Sequence, residues 1–218
     1  MSDTTIDDDP VVPLQQTKIA LQEFQVRRLK RDFRDLRMSP EYGPFCDFFA
    51  TEIYSARDFT ERNDSFRRLA RQFRGMLGDE IYQGLVRLLD LHSLTDRLDE
   101  QMAETLHDLG VPLEFTEAQY EQAYRLLDNY GERVEQIELI VESLRFTHRV
   151  SQMPLIGVAI ASARIAVGIF SRDRIVELLD HAYKTLKGIK DVEYLADQVS
   201  TREMVRLDRI YAASPVDS

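Results

Sequence analysis

The sequence of 218 residues contains one cysteine, Cys46, and no tryptophan. A single cysteine excludes an intramolecular disulfide framework and a multi-thiolate metal centre, so we expect a reducing compartment, the cytoplasm. The first twelve residues are acidic and lack the apolar run of a signal peptide. A glycine-rich phosphate loop and the residue order of a nucleophilic triad are also lacking. The chain therefore gives no direct sign of catalysis.

Glycine and proline are scarce, at nine and seven residues, and most of them lie between periodic segments. No segment alternates apolar and polar residues as a half-buried strand does, and there is no internal repeat. This pattern predicts an all-α, single-domain helical bundle of about seven to eight helices over residues 13–212. Residues 1–12 are predicted to form a disordered acidic arm, and residues 213–218 a disordered tail.

Local start and stop signals predict where the helices begin and end. Ser39 followed by Pro40 predicts a helix start, and Gly110 predicts a helix end. Thr116–Gln119 and Ser200–Glu203 have the spacing of capping boxes. The predicted helices cover about 14–38, 40–55, 65–77, 80–109, 116–153, 154–170, 173–187, 192–199 and 201–212.

One predicted helix carries a heptad seam, in which apolar residues recur alternately after four and three positions. Either this seam packs inside the bundle or it is a surface for another protein or a second copy. Its members are Ala123, Leu127, Tyr130, Val134, Ile137, Val141, Leu144 and His148.

The segment 154–170 is apolar on every side except at Ser162 and Arg164. With seventeen residues and a central arginine, it is too short and too charged for a membrane span. A helix that is apolar all round is normally the buried centre of a bundle. We therefore expect the other helices to surround it, and we expect no transmembrane segment.

Glu52 stands among phenylalanines in the stretch FCDFFATEIYSARDF at 45–59. On an α-helical wheel it falls within the apolar arc, whereas Asp47 points away. A buried carboxylate needs a partner. We expect Glu52 to pair with Arg164, with His92 of the next long helix nearby, as a buried polar cluster. That cluster either fixes helix register or forms the floor of a functional site.

The net charge of −10 argues against general nucleic-acid binding, but residues 24–76 carry a local excess of positive charge. The densest basic stretch is a possible surface for an anionic partner. The alternative is a solvated helix face paired with acidic neighbours. The residues of this possible surface are Arg27, Arg28, Lys30, Arg31 and Arg34.

Glu104 and His107 form a Glu-x-x-His motif, which is typical of di-iron bundles, so a metal site is one interpretation. Glu52 and Glu142 would be the lone carboxylates of such a site. The fourth helix offers only Glu177 and His181, which have the wrong spacing. One such motif is weak support, so we predict no metal and no cofactor.

The stretch FFATEIY at 48–54, followed by Arg-Asp-Phe at 57–59, resembles the motif of an uncharacterised bacterial helical family with an FFLEELY-like sequence. The arginine-rich first helix, EQAYR at 121–125 and Arg-Glu at 202–203 are also similar to that family. Ala50 and Thr51 depart from the pattern, which has leucine and a first glutamate there. The resemblance implies a helical fold and no mechanism.

The function predicted first is that of a non-catalytic helical binding or scaffold protein that contacts another protein or itself. The alternative is a bundle that binds an apolar small molecule or lipid, because the helix 154–170 is rich in small residues and residues 45–53 present an aromatic face. A carboxylate and histidine metal-dependent oxidoreductase is the third possibility.

Overall fold

The computed structural model describes residues 13–53, 78–158, 160–161 and 174–212. Regular structure in these ranges is entirely helical, which confirms the all-α prediction. The helices are α1 (Leu14–Asp32), α2 (Arg34–Arg37), α3 (Gly43–Phe48), a π-helical turn that continues α3 (Phe49–Ile53), α4 (Asp79–Asp108), α5 (Glu117–Leu127), α6 (Tyr130–Ser151), α7 (Arg174–Lys187) and α8 (Val192–Ala212). The predicted helix at 65–77 and the predicted arm and tail lie outside the described residues.

Helix α4 is the longest of these elements and packs against α1, α5 and α6. Ion pairs show that α4 and α6 run antiparallel, because Glu80 meets Arg149 near one end of the pair and Arg97 meets Glu132 towards the other. Helix α8 packs along α6 and also contacts α5, while α7 contacts α3 and α6. The short connections that join α4, α5 and α6 place these helices as neighbours.

Two clusters of buried side chains form the core. One cluster joins Phe33, Leu36 and Tyr42 to residues of α6, α7 and α8. The other joins Leu21 of α1 to Met102 and other residues of α4 and α5. Full burial of one such leucine contributes about 1.5–3 kcal/mol, so these two clusters fix how the helices pack.

The start and stop signals around the α4–α5 connection are confirmed. Gly110 has a φ of +63°, and the N–H groups of Gly110 and Val111 bond back to His107 and Leu106. This is the Schellman end that glycine favours, since it adopts the left-handed conformation without a Cβ clash. At the start of α5, the Thr116 hydroxyl accepts from the Gln119 N–H, and the Gln119 side chain accepts from the Thr116 N–H, as the capping box predicted.

The continuous helix predicted after Thr116 is wrong. The chain leaves the helical path at Asp128, which has a φ of 47°, and α6 begins at Tyr130. The seam is therefore divided between α5 and α6. Within α6, Ile137, Val141 and Leu144 are buried, so this half of the seam packs inside the molecule.

Three other predicted boundaries are corrected. Helix α8 continues through Ser200, and the Glu203 carboxylate accepts a hydrogen bond from Arg28 instead of capping a helix there. The first predicted helix is interrupted at Phe33. The Ser39 hydroxyl accepts from the N–H groups of the next turn, but α3 begins only at Gly43.

The first turns of the apolar segment 154–170 are helical at 154–158 and 160–161. Ile156 is buried, whereas Leu155 and Val158 are 73% and 63% exposed. This end of the segment therefore does not have the all-round burial that was predicted, and residues 162–170 lie outside the described residues. Within the described ranges, no helix combines the length and hydropathy needed to cross a membrane.

Candidate functional site

A cavity of about 500 Å³, partly open to solvent, lies among the helices and is lined by residues of both core clusters. Most of its wall is apolar and comes from α3, α4, α6 and α7. We call this part the apolar section, and its principal residues are Phe45, Phe49, Leu85, Leu88, Ile140, Phe146, Leu178, Leu179 and Ala182. Thr147 also lines the cavity. Its hydroxyl donates to the backbone carbonyl of Ser143 and is therefore already satisfied within the helix.

Polar side chains line the cavity where α1, α4, α6 and α8 meet. We call this part the polar end, and its residues are Gln25, Arg28, Asp99, Arg133, Gln136, Glu203 and Arg206. Adjacent members contact one another or lie one turn apart on the same helix. The cavity thus combines a long apolar wall with a charged region at this end, and Lys30, Arg37 and Asp96 also line it.

Gln25 and Asp99 join α1 to α4 at the polar end. The Gln25 amide donates to the Asp99 carboxylate with an Nε2 to Oδ1 distance of 3.0 Å. Both side chains are buried. Burial raises the pKa of Asp99, although the hydrogen bond from Gln25 and the nearby charge of Arg133 oppose that rise. The rise has its main cause in burial, which disfavours the charged carboxylate.

Arg133 of α6 is 3% exposed and lies behind this pair. Its guanidinium donates to the Gln136 side chain at 3.1 Å and to the backbone carbonyl of Leu98 at 3.2 Å. The same group lies 4.5 Å from the centre of the Tyr124 ring, within cation–π distance. Gln136 in turn donates to Thr95 of α4. These contacts hold a positive charge in the interior.

Arg28 and Arg206 complete the polar end. Arg28 donates to Glu203 at 2.5 Å, which ties α1 to α8 across the bundle. Arg206 lies one turn after Glu203 and forms an ion pair with Glu117 at 2.7 Å. Burial tends to raise the pKa of Glu117, but hydrogen bonds from Arg31 and Arg206 outweigh it and lower the pKa to about 2.

Two buried polar atoms at the polar end have no hydrogen-bond partner among the described residues: Gln25 Oε1 and Arg206 Nη2. Gln25 is 2% exposed. A buried polar atom without a hydrogen bond lowers the stability of the fold by about 1–3 kcal/mol. Both residues line the cavity.

The predicted cluster of Glu52, Arg164 and His92 is only partly described. His92 is half-buried on α4 and lines the cavity. Glu52 is half-buried instead of fully buried, because the chain there forms a π-helical turn. Such a turn is wider than the α-helix assumed by the wheel. Arg164 lies outside the described residues, so its pairing with Glu52 stays a prediction.

The five basic residues of the predicted anion-binding surface do not all point to solvent. Arg28 is buried at the polar end, which corrects its assignment to that surface. Arg31 pairs with Glu117 and Asp32, and Arg27 lies 3.9 Å from Glu23. Lys30 is half-buried and Arg34 is exposed. Arg27 and Arg31 thus have acidic neighbours, whereas a surface for an anionic partner at Lys30 and Arg34 stays a prediction.

The residues proposed as metal ligands do not meet at one place in the described structure. Glu104 is exposed, and His107 lies 3.5 Å from the exposed Asp108. Glu142 is paired with Arg87. In the part of the chain that the structure describes, no three metal-ligating side chains come together.

Sequence reasoning missed Asp99, Arg133 and Gln136. Asp99 follows Ile81 by eighteen residues, which at about 100° each returns it to the same side of the wheel. That signal was present in the sequence. Arg133 and Gln136 directly precede the seam residues Val134 and Ile137, and the seam pattern gave no reason to expect them in the interior.

Comparison with known proteins gives one family. A family model described as a domain of unknown function, DUF8198, matches residues 7–217. Neither the curated proteins nor the solved structures gave a match. The family match agrees with the expectation of a family without an assigned function, while the bacterial FFLEELY-like family stays a prediction.

Proposed function

The chain belongs to the family of the domain of unknown function DUF8198, and we propose that it is a cytoplasmic, non-catalytic binding protein for a single-chain apolar or amphipathic small molecule. The cavity of about 500 Å³ and its apolar section carry this proposal. Small-molecule sites typically have about 300–1,000 Å³ and a mostly apolar lining with a few placed polar groups. The cavity meets each of these criteria.

The energetic cost of an empty cavity supports an occupant. Protein interiors are close-packed, and lost packing costs about 24 cal/mol for each Å³ of void. This cavity is partly open and partly polar, so water covers some of its wall and only the dry apolar part loses such contacts. The hydrocarbon part of a bound ligand would restore those contacts.

Parts of the two surfaces that were expected to contact a partner protein are engaged within the chain. Ile137, Val141 and Leu144 of the seam are buried in the core. The basic stretch forms ion pairs with Glu117 and Glu203. Binding in the cavity is therefore the function that the described residues support better than a scaffold role.

A fluorescence titration with the neutral apolar probe N-phenyl-1-naphthylamine tests this function. Wild-type protein should bind the probe saturably with one site per chain. Ala182→Phe places a large side chain in the apolar section and should weaken binding at least about tenfold, since the ligand must compete with the new ring. Ser143→Leu fills the cavity from α6 and should act in the same direction.

Val205→Phe is the matched control, because Val205 is 63% exposed on α8. This variant should bind the probe as the wild type does. Melting temperatures of all variants identify any that are unfolded. Non-saturable binding by the wild type, or equal affinity in the folded cavity-filled variants, contradicts the proposal.

A further inference from the structure

The contacts at the polar end point to an uncharged head group: we infer that the ligand is a neutral single-chain lipid with a terminal hydroxyl. The hydroxyl lies at the polar end and donates to Gln25 Oε1, and the hydrocarbon chain occupies the apolar section. This inference rests on the proposed function and names the ligand class of the same site.

The arginines at the polar end are paired with carboxylates of the protein itself. Arg28 lies 2.5 Å from Glu203 and 3.8 Å from Asp32. Arg206 lies 2.7 Å from Glu117 and 3.8 Å from the same Asp32. Each of these two arginines therefore has two carboxylates within ion-pair distance.

Arg31 joins the same network from outside the cavity lining, through Glu117 and Asp32. With Arg28 and Arg206, this gives three guanidinium groups facing three carboxylates. Arg133 and Asp99 add one residue of each sign. Burial raises the pKa of Asp99, and the charge of Arg133 opposes that rise, so the two groups attract each other.

The other charged residues of the lining also have a partner or reach water. Arg37 lies 2.8 Å from Asp47, and Asp96 lies 3.3 Å from Lys18. Lys30 is half-buried, so part of its side chain stays in water, which screens its charge. The cavity lining therefore has charges of both signs without a strong excess of either.

A charged head group would disturb this balance. An anion at the polar end would meet Glu203, and a cation would meet Arg206. Either ion would also lose its hydration on leaving water, which is costly for a charge without a partner of its own. A hydroxyl adds no net charge and loses less hydration, so the arrangement favours a neutral ligand.

Gln25 offers the hydroxyl an acceptor. Its Nε2 donates to Asp99 at 3.0 Å, whereas Oε1 is buried without a donor among the described residues. The side chain is 2% exposed and lines the cavity. A hydroxyl can donate to this oxygen, but a ketone or an ether has no hydrogen to donate. The amide oxygen therefore distinguishes an alcohol from other neutral head groups.

A competition experiment separates this inference from the proposed function. 1-Dodecanol, 2-dodecanone, dodecanoic acid and dodecylamine are each used to displace N-phenyl-1-naphthylamine from the wild type, below their solubility and aggregation limits. At about pH 7.5 the acid and the amine are charged. The alcohol should compete at about tenfold lower concentration than either ion. It should compete at about threefold to tenfold lower concentration than the ketone, which lacks the donor.

Glu203→Gln tests the charge balance. This variant removes one carboxylate and leaves the polar end with one more positive charge, so the acid should gain about tenfold relative to the alcohol. Glu138→Gln, at an exposed position of α6, is the control and should leave the acid-to-alcohol ratio unchanged. A wild-type ratio in the Glu203→Gln protein would show that charge balance does not exclude the acid, and the inference would be wrong.

Gln25→Met tests the position of the hydroxyl, because methionine has a similar size and lacks the amide oxygen. The advantage of the alcohol over the ketone should fall towards onefold in this variant. Gln15→Met, at an exposed position of the same helix, should keep the advantage. An unchanged advantage in the Gln25→Met protein would contradict the hydrogen bond to Oε1.

The wild-type measurements decide even where a variant does not fold, which its melting temperature reveals. If the acid, the amine or the ketone competes as well as the alcohol, the head-group inference is wrong while the proposed function stands. If no compound displaces the probe, the proposed function fails.

Discussion

The Gln25 side chain donates to the Asp99 carboxylate across 3.0 Å, and both groups lie in the interior, on helices separated by more than seventy positions of sequence. A carboxyl group in this setting tends to keep its proton, because burial disfavours the charged form. This pair links the stability of the fold to the charge of the cavity, since Asp99 lines the polar end.

Asp99→Asn should raise the free energy of unfolding near pH 7. Burial raises the pKa of Asp99 in the folded state. Above the ordinary carboxyl pKa of about 3.9, the unfolded chain releases a proton that the folded protein retains. Stability therefore falls as pH rises through that region. Asparagine does not titrate and still offers an acceptor to Gln25.

Chemical denaturation of both proteins at pH 4 and pH 7 checks this prediction. The advantage of Asp99→Asn should be larger at pH 7 than at pH 4. Asp96→Asn, at an exposed position on the same helix, should show no such gain. A variant that is less stable by the same amount at both pH values would contradict the raised pKa.

Glu117→Gln should destabilise the protein at pH 7 by about 1–2 kcal/mol. The lowered pKa of about 2 corresponds to at most about 3 kcal/mol, and partial exposure of the side chain reduces that value. A depressed pKa contributes stability above the unfolded pKa, and this contribution is lost as pH falls. The difference between wild type and variant should therefore shrink between about pH 4.5 and pH 2.

Urea denaturation along this pH range measures the effect. Glu138→Gln, at an exposed position of α6, is the control and should have little effect at any pH. A difference for Glu117→Gln that does not change between pH 7 and pH 2.5 would rule out the ion pairs with Arg31 and Arg206 as its cause.

Gly84→Ala should be destabilising, although alanine is the better helix former by about 1 kcal/mol. Gly84 lies under the Phe146 ring, and an added Cβ would overlap that ring. Overpacking of this kind costs about 1–3 kcal/mol. Phe146→Leu in the same chain should remove the clash, so Gly84→Ala should then be neutral or stabilising. A double-mutant cycle measured by thermal unfolding gives this coupling, and additive effects would contradict the close contact.

Features that depend on local chemistry could be predicted from the sequence. Gly110 ends α4 because of its own conformational freedom, and Thr116 caps α5 with a residue three positions away. Ser200 has the same local pattern, but Glu203 is held by Arg28 from a distant helix. A short motif contains no information about that competing partner, so the predicted boundary was wrong.

The candidate site depends on tertiary structure and was therefore mostly beyond sequence reasoning. Glu52 was placed by an α-helical wheel in a segment that forms a π-helical turn. Asp99 was on the apolar side of its wheel and was predictable in principle. The helix break at Asp128 lies in the stretch Asp-Asn-Tyr-Gly, which ends at Gly131 and which the seam pattern treated as continuous helix. Only the packed helices show that a cavity lies among them.

The most direct test of the cavity as a binding site is to locate the hydrocarbon chain of a bound ligand. Wild-type protein carrying labelled Ile and Leu methyl groups is titrated with 1-hexadecanol and followed by NMR. We expect chemical-shift changes and contacts with the ligand at Leu88, Ile137 and Ile140, which line the cavity, with little change at the exposed Ile19 and Leu126. Shifts confined to Ile19 and Leu126, or no shifts at ligand excess, would contradict it.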